Sequence, residues 1–322
     1  MSARTLIAKA CVVAIAGTVA AHAQTYPVRP VRMIVPYAPG GGVDVMARLI
    51  APKLSERFGQ QVVIDNRAGA TGNIGAELAA RSPADGYTVL MAGGSVAINV
   101  SLYPKLAYDV LKDFAPVTCV AESPNILLVH PSLPAKSVAE LIALARSRPG
   151  QLNYASGGSG STLHLTAELF KSMTGVNIVH VSYKGTGPAV IAVISGEAAM
   201  AMPPLAGMLP HVESGRLRAL AVTSRTRMQT LPRLPTVAES GVPGFESGQW
   251  YGVLVPTATP APVITKLQAD INAVTRSSEI AALIVEQGSM PLAETPTQFG
   301  MRLRRDIAKW AKVIKSSGAR LE

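Results

Sequence analysis

The sequence is poor in the features that most quickly identify a chemistry. It has two cysteines, Cys11 and Cys119, and the first lies in a leader-like segment. One remaining thiol cannot build a disulfide framework within the chain. Cys119 sits in the strand-like run 116–120, where a buried inert thiol is expected rather than a nucleophile. Aromatic residues make up 5% of the chain, too few for a platform that stacks single-stranded bases. Charged residues make up 16% and hydrophobic residues 48%, which excludes a disordered chain and predicts a large core. The 28 glycines and 24 prolines follow no short period, so collagen and low-complexity readings fail. Beyond the leader, no stretch reaches the ~18 apolar residues of a membrane-spanning helix.

What is present begins with the leader. Arg4 and Lys9 precede an uncharged apolar run over 10–21, and Ala21-His22-Ala23 places small residues where a signal peptidase reads them. Residues 1–23 are therefore expected to be a secretory signal cleaved after Ala23. The run is too short to span ~30 Å of hydrocarbon, and Cys11 precedes it, which argues against a lipoprotein. The remaining chain has 28 basic against 20 acidic residues, a net charge of +8. The basic residues are scattered. The cluster Arg302, Arg304 and Arg305 shares a predicted helix with Asp306, the pattern of a solvated face. Without a basic stripe and a recognisable motif there is no case for nucleic acid. A positive field that attracts anionic ligands is the better use of the charge.

Strand-like and helix-like segments alternate. A strand over 31–35 enters the loop 36–42, and a helix over 43–58 carries Pro52 and stops at Gly59. A strand at 62–64, a helix over 71–81 and a strand at 88–91 follow. Ser137 and Glu140 form a capping box opening a helix to about 148. A strand at 153–155, a helix over 162–172 and a strand at 178–181 come next, and Pro188 suits a first helical position. Segments 198–202 and 217–222 complete this second sheet, and Thr295, Pro296 and Gln298 cap a last helix to about 315. The rhythm predicts an α/β protein with parallel sheets faced by helices. Segments 125–131 and 250–256 share a texture, a buried strand closed by proline. If both cross between lobes, residues 24–124 and 249–322 form one discontinuous domain and 125–248 an inserted second one.

Catalytic signals are weak. Residues 157–161 miss the last glycine of a nucleophile elbow, and Gly40 and Gly42 are not followed by the third glycine of a dinucleotide loop. His130, His164, His180 and His211 lack zinc spacing, so neither a metal nor a cofactor is expected. His164 reads as a surface or capping residue. An exported hydrolase using a serine within 156–161 is the alternative, but no partner base is evident. The positive feature is a set of glycine- and hydroxyl-rich loops between strands and helices: Gly40-Gly41-Gly42, Gly93-Gly94-Ser95, 156–162, and Gly185-Thr186-Gly187. Such loops lie at the carboxyl ends of strands, where ligands bind, and glycine lets helix N–H groups approach an anion.

The run Pro36-Tyr37-Ala38-Pro39-Gly40-Gly41-Gly42-Val43-Asp44 resembles the signature of the Bug family, periplasmic solute-binding proteins of tripartite tricarboxylate transporters. The resemblance continues through Asn66-Arg67-Ala68-Gly69-Ala70-Thr71-Gly72, Asp85-Gly86-Tyr87-Thr88, Tyr183-Lys184-Gly185-Thr186-Gly187-Pro188-Ala189 and Leu231-Pro232-Arg233-Leu234-Pro235-Thr236. It covers essentially all of the chain from Tyr26 in order. It implies a two-lobed, type II periplasmic-binding-protein fold that closes on its ligand like a flytrap. It also implies a non-enzymatic protein, expected to be a monomer, that passes a small organic carboxylate to membrane subunits of a tripartite transporter.

By the same resemblance the carboxylate is held by two loops. Carried over, they are Tyr37, Ala38, Gly41, Gly42 and Asp44, and Tyr183, Gly185, Thr186, Gly187, Pro188 and Ala189, with Ser156, Ser161 and Thr162 on a third loop. Ser95 joins them from the glycine-rich loop at 93–95. Met202, Pro203 and Pro204 stand where the family usually carries Phe-Asp-Asn, and Gly42-Val43 replaces a small residue followed by Thr or Ser. Proline offers neither a side-chain acceptor nor an N–H donor, and an uncompensated buried ammonium would be costly. The expected ligand is therefore a carboxylate without an amine. It is a dicarboxylate, or a monocarboxylate whose apolar end meets Met202 and Pro203.

Overall fold

The computed structural model describes residues 26–317 apart from 38, 184–185, 206 and 229. The expected signal 1–23, together with Ala38 and Gly185, lies outside the described residues. In the first part of the chain β1 (Val31–Val35) leads to α1 (Gly42–Phe58), β2 (Val62–Asn66), a 3-10 turn (Ala70–Gly72), α2 (Asn73–Ala80), β3 (Thr88–Gly93), α3 (Ser95–Leu102) and β4 (Phe114–Pro124). There follow β5 (Ile126–Val129), α4 (Val138–Ser147), β6 (Asn153–Ser156), α5 (Thr162–Thr174), β7 (Val179–Ser182), α6 (Thr186–Ile194), β8 (Met200–Ala201), α7 (Leu209–Glu213) and β9 (Arg218–Val222). The chain closes with β10 (Gly248–Pro256), α8 (Ala261–Thr275), α9 (Ser278–Glu286), β11 (Met290–Pro291) and α10 (Pro296–Ser317).

The strands divide between two mixed sheets. The first has the order β11-β4-β10-β3-β1-β2, the second β7-β6-β8-β5-β9. β1 runs parallel to β2 and β3, while β10 runs antiparallel to β3 and β4. β6 runs parallel to β7 and β8, while β5 runs antiparallel to β8 and β9. Period-two alternation assigns the faces. Met33, Val35, Val89 and Met91 pack with Met46, Ile50 and Leu54 of α1. Ile34, Leu90 and Ala92 point the other way, into a cluster with Phe299, Leu303 and Trp310 of α10. That cluster continues without interruption into the second sheet through Leu127, Val129 and Tyr154.

Local signals explain the elements. α1 buries Val43, Met46, Ala47, Ile50, Leu54 and Phe58 at helical spacing and ends at Gly59, whose φ of +62° suits glycine. Pro52 is accommodated inside this helix. Gly75 lets α2 lie against the end of β1, since a methyl group there would come within 2.7 Å of the Pro36 Cα. Two expectations shift. The helix expected over 71–81 begins at Asn73, because residues 70–72 form a separate turn. Pro188 is the third helical residue of α6, not the first.

Strand β5 lies wholly in the second sheet and β10 wholly in the first. The chain therefore passes between sheets in steps shorter than the segments 125–131 and 250–256, at Asn125 and just before Gly248. The two passages are stitched together. The Asn125 N–H donates to Thr223 Oγ1 at 2.7 Å, and Thr223 Oγ1 donates to the Ser247 carbonyl at 2.6 Å. The Asn125 side chain donates to Thr166 Oγ1 of α5 at 2.7 Å, and that hydroxyl lies 2.6 Å from Ser247 Oγ.

Candidate functional site

Parallel pairing brings the carboxyl ends of β1, β2 and β3 to one edge of the first sheet, and those of β6, β7 and β8 to one edge of the second. The helices that start at the first edge share an unusual beginning. α1, α2 and α3 have Gly41, Gly72 and Gly94 at their N-caps, and no side chain caps any of them. By contrast α4, α5 and α9 are capped by the hydroxyls of Ser137, Ser161 and Ser277. The first main-chain bond of α1 runs from the Val45 N–H to the Gly41 carbonyl, which leaves the N–H groups of Gly42, Val43 and Asp44 without an intrahelical partner. An uncapped helix start of this kind favours a carboxylate.

The loop before α1 is held from behind. Asp44 is 1% exposed. Its Oδ2 accepts from the Gly40 N–H at 2.9 Å and from Arg48 Nε at 2.8 Å. Its Oδ1 accepts from Asn66 Nδ2 at 2.9 Å, and the same Asn66 amide donates to the Tyr37 carbonyl at 3.0 Å. Burial pushes the Asp44 carboxyl up, but the bonds from Arg48, Gly40 and Asn66 outweigh it and bring its pKa down to about 2. Asp44 thus shapes the loop through Gly40, Arg48 and Asn66. The Tyr37 hydroxyl meets the Ser95 hydroxyl, joining this loop to the start of α3. Burial raises the Tyr37 pKa to about 12, so it stays a neutral phenol.

A second feature of this edge is the turn after β2. Gly69, Ala70, Thr71 and Gly72 have φ of +137°, +46°, +54° and +92°. Two non-glycine residues in the left-handed region cost about 1–2 kcal/mol each.

The second edge uses hydroxyls and imidazoles. Ser156 Oγ lies 2.6 Å from His180 Nε2 and accepts from the Gly158 N–H at 3.2 Å. The His180, His164 and Tyr154 rings lie near-parallel in one cluster, with the His180 centroid 4.1 Å from His164 and 5.0 Å from Tyr154. His164 Nδ1 accepts from the Gly160 N–H at 3.0 Å, and the His164 N–H donates to Ser161 Oγ at 3.3 Å. His164 is 6% exposed, so the surface reading of it fails and the capping reading needs revision. Its ring holds the loop between β6 and α5. Ser156 is completely buried, which keeps its hydroxyl from a substrate and removes support from the hydrolase alternative.

Other expected site residues fall as follows. Thr162 opens α5 directly after its cap. Thr186, Gly187, Pro188 and Ala189 form the first turn of α6. A methyl group at Gly187 would meet nothing within 4 Å, so this glycine faces open space. The Tyr183 hydroxyl donates to Glu197 Oε1 at 2.8 Å, which occupies it outside the loop. Met202 is 0% exposed and belongs to the same apolar cluster as Leu127 and Tyr154. Pro203 is buried, and its carbonyl accepts from the Ile126 N–H at 2.9 Å, pinning it to the passage between sheets. The structure thus spends Met202 and Pro203 on core and connection instead of presenting them to a ligand.

The two edges approach each other at Gly160. A methyl group at Gly160, in the loop before α5, would come within 2.7 Å of Leu102 Cδ2 at the end of α3. Sequence reasoning missed Asn66, Arg48 and His180, because their roles depend on partners from other elements. Only the stretch starting at Asn66 carried a signal, as part of the family resemblance. Among the described residues no group of histidine, cysteine, aspartate and glutamate side chains could hold a metal ion, and no helix is long and apolar enough to cross a membrane.

Residues 46–319 match the family described as "Tripartite tricarboxylate transporter family receptor". Protein BugT of Bordetella pertussis is 41% identical over 302 residues, covering 93% of each chain. The solved structure of Rpa4515 from R. palustris with adipate is 42% identical, with a TM-score of 0.78, covering 92% of this chain and all of that one. MatC from Rhodopseudomonas palustris with bound malate is 31% identical, with a TM-score of 0.74, covering 90% of this chain and all of that one.

Proposed function

The chain belongs to the family of tripartite tricarboxylate transporter receptors, and from that membership we propose that it captures a small organic carboxylate in the periplasm and passes it to membrane subunits of such a transporter. Residues 1–23 direct export and are removed after Ala23. Residues 24–124 and 249–322 form one lobe and residues 125–248 the other, and the lobes close over the ligand about the passages at Asn125 and Gly248. The loop Tyr37–Asp44 and the starts of α5 and α6 face the ligand. The observation that carries this reading is the uncapped, glycine-started α1 beside α3 at a strand edge. Its free N–H groups suit an anion.

The ligand lacks an amine. The one acidic side chain among the described loop residues, Asp44, is consumed by Gly40, Arg48 and Asn66. The relatives solved with adipate and malate hold amine-free acids. The test is calorimetry of the purified protein against adipate, malate, succinate, citrate, aspartate and glutamate, after native mass spectrometry of whatever co-purifies. An amine-free acid should bind and raise the melting temperature. Preference for an amino acid would overturn the amine argument, and silence toward every acid would overturn the function.

A further inference from the structure

We propose that the turn at 69–72 selects for a second charge on the ligand, with the Thr71 hydroxyl receiving the far carboxylate of a dicarboxylate. The proposal rests on the carboxylate reading above. Ala70 and Thr71 are the non-glycine residues with left-handed backbone among the described residues, and they are adjacent. A turn that only joined a strand to a helix would have no need of that conformation at a threonine, and such strain persists where surrounding structure enforces it.

Here the enforcement is visible. Asn99 is completely buried, and its Nδ2 donates to the Thr71 carbonyl at 3.0 Å and to Asn73 Oδ1 at 2.8 Å. The Tyr108 hydroxyl donates to the same Asn73 oxygen at 2.8 Å. This buried network holds the Thr71 main chain from beneath and leaves its side chain exposed. Thr71 Oγ1 lies 3.1 Å from the Tyr103 hydroxyl. When one of the pair donates to the other, the second O–H remains available to an acceptor.

The position suits a ligand's far end. On one side Gly72 packs against the Tyr37 ring, part of the proposed ligand loop. On the other, Tyr103 follows Leu102, where Gly160 arrives from the second sheet. Thr71 therefore stands between the first ligand loop and the contact that joins the two edges. The nearby guanidiniums are committed, Arg67 to Asp65 at 2.9 Å and Arg48 to Asp44 at 2.8 Å. What this spot offers is neutral donors: the hydroxyl pair and the N–H groups of Ala70 and Thr71, which have no partner among the described residues. An ionised carboxylate only accepts, so it matches such a set.

The experiment compares adipate with hexanoate, equal in carbon count and differing by one carboxylate, by calorimetry on the full mature protein. Thr71→Val keeps the β-branched shape and removes the hydroxyl. It should weaken adipate about tenfold, the scale of a hydrogen bond to a charged group, and change hexanoate less than about twofold. Thr71→Ser should retain adipate binding, and Tyr103→Phe should lose part of it. Equal weakening of both acids by Thr71→Val, or no change in either, would overturn the proposal while leaving the carboxylate reading intact. Wild-type protein that binds another acid of the panel but neither adipate nor hexanoate would overturn the proposal and leave the carboxylate reading standing.

Discussion

The strand edges of the two sheets solve the same problem with different chemistry. The first-sheet edge offers main chain: glycine-started helices, free N–H groups, and a loop pinned from behind by the buried Asp44 carboxylate. The second-sheet edge offers a serine-capped helix whose loop is held by side chains, Ser156 to His180 and His164 to Gly160. Each edge thus draws its rigidity from a different set of groups. On the first edge a charge supplies rigidity and leaves main-chain N–H groups without an intrahelical partner. On the second, serine and histidine side chains shape the loop.

The largest effect is expected from removing the charge that fixes the first edge. Asp44→Asn leaves Gly40 and Arg48 facing an amide and should cost about 3 kcal/mol of stability in urea unfolding, because groups that lose a buried partner bear the desolvation cost. The pH dependence has a defined sign. The folded pKa of about 2 lies below the ordinary 3.8. The carboxylate therefore contributes about 2 kcal/mol that is present above pH 4 and lost as pH falls toward 2. The gap between wild type and Asp44→Asn should narrow across that window, and a gap constant from pH 6 to pH 2.5 would break the assignment.

Next comes the point where the edges touch. Gly160 has φ of +77° and packs on Leu102. Gly160→Ala should cost about 2 kcal/mol, from left-handed strain and the clash together. Adding Leu102→Ala should recover the clash share in a double-mutant cycle; strict additivity would mean that the two residues do not meet in solution. Ser156→Ala should cost about 1 kcal/mol by leaving His180 and the Gly158 N–H short of a partner. No measurable loss there would show that the second loop is held by the histidine stack alone. Gly187→Val should leave the melting temperature almost unchanged, since its side chain enters open space, yet weaken carboxylate binding. A variant with full affinity would place the ligand away from α6.

Much of this was legible in local patterns. Gly59 and the apolar spacing of α1 set that helix correctly, and the Thr295–Gln298 box appears as reciprocal bonds of 2.8 and 3.2 Å. The Ser137 box is half formed, because Glu140 accepts from the Lys136 N–H instead of that of Ser137. What was not legible depends on distant partners. The left-handed Thr71 is imposed by Asn99, 28 residues away. The burial of His164 comes from a ring on β7, and Met202 looks available in sequence only because nothing local reveals the core around it. The glycine-rich loops were readable as the turns between strand ends and helix starts, whereas the groups that hold them were not.

The apolar cluster that runs from Ile34 through Trp310 to Tyr154 has a consequence for how the molecule comes apart. Residues 125–248 are contiguous in sequence, yet Leu127, Val129 and Tyr154 share their buried surroundings with α10 from the far end of the chain. Excised by a protease or expressed alone, that segment would bare a wet apolar flank and would aggregate or melt early. In the intact chain the same continuity ties the fate of the second sheet to the last helix, so that heat or urea should unfold both in a single cooperative transition, and trimming the final turns of α10 should lower the protection of amides as far away as β6.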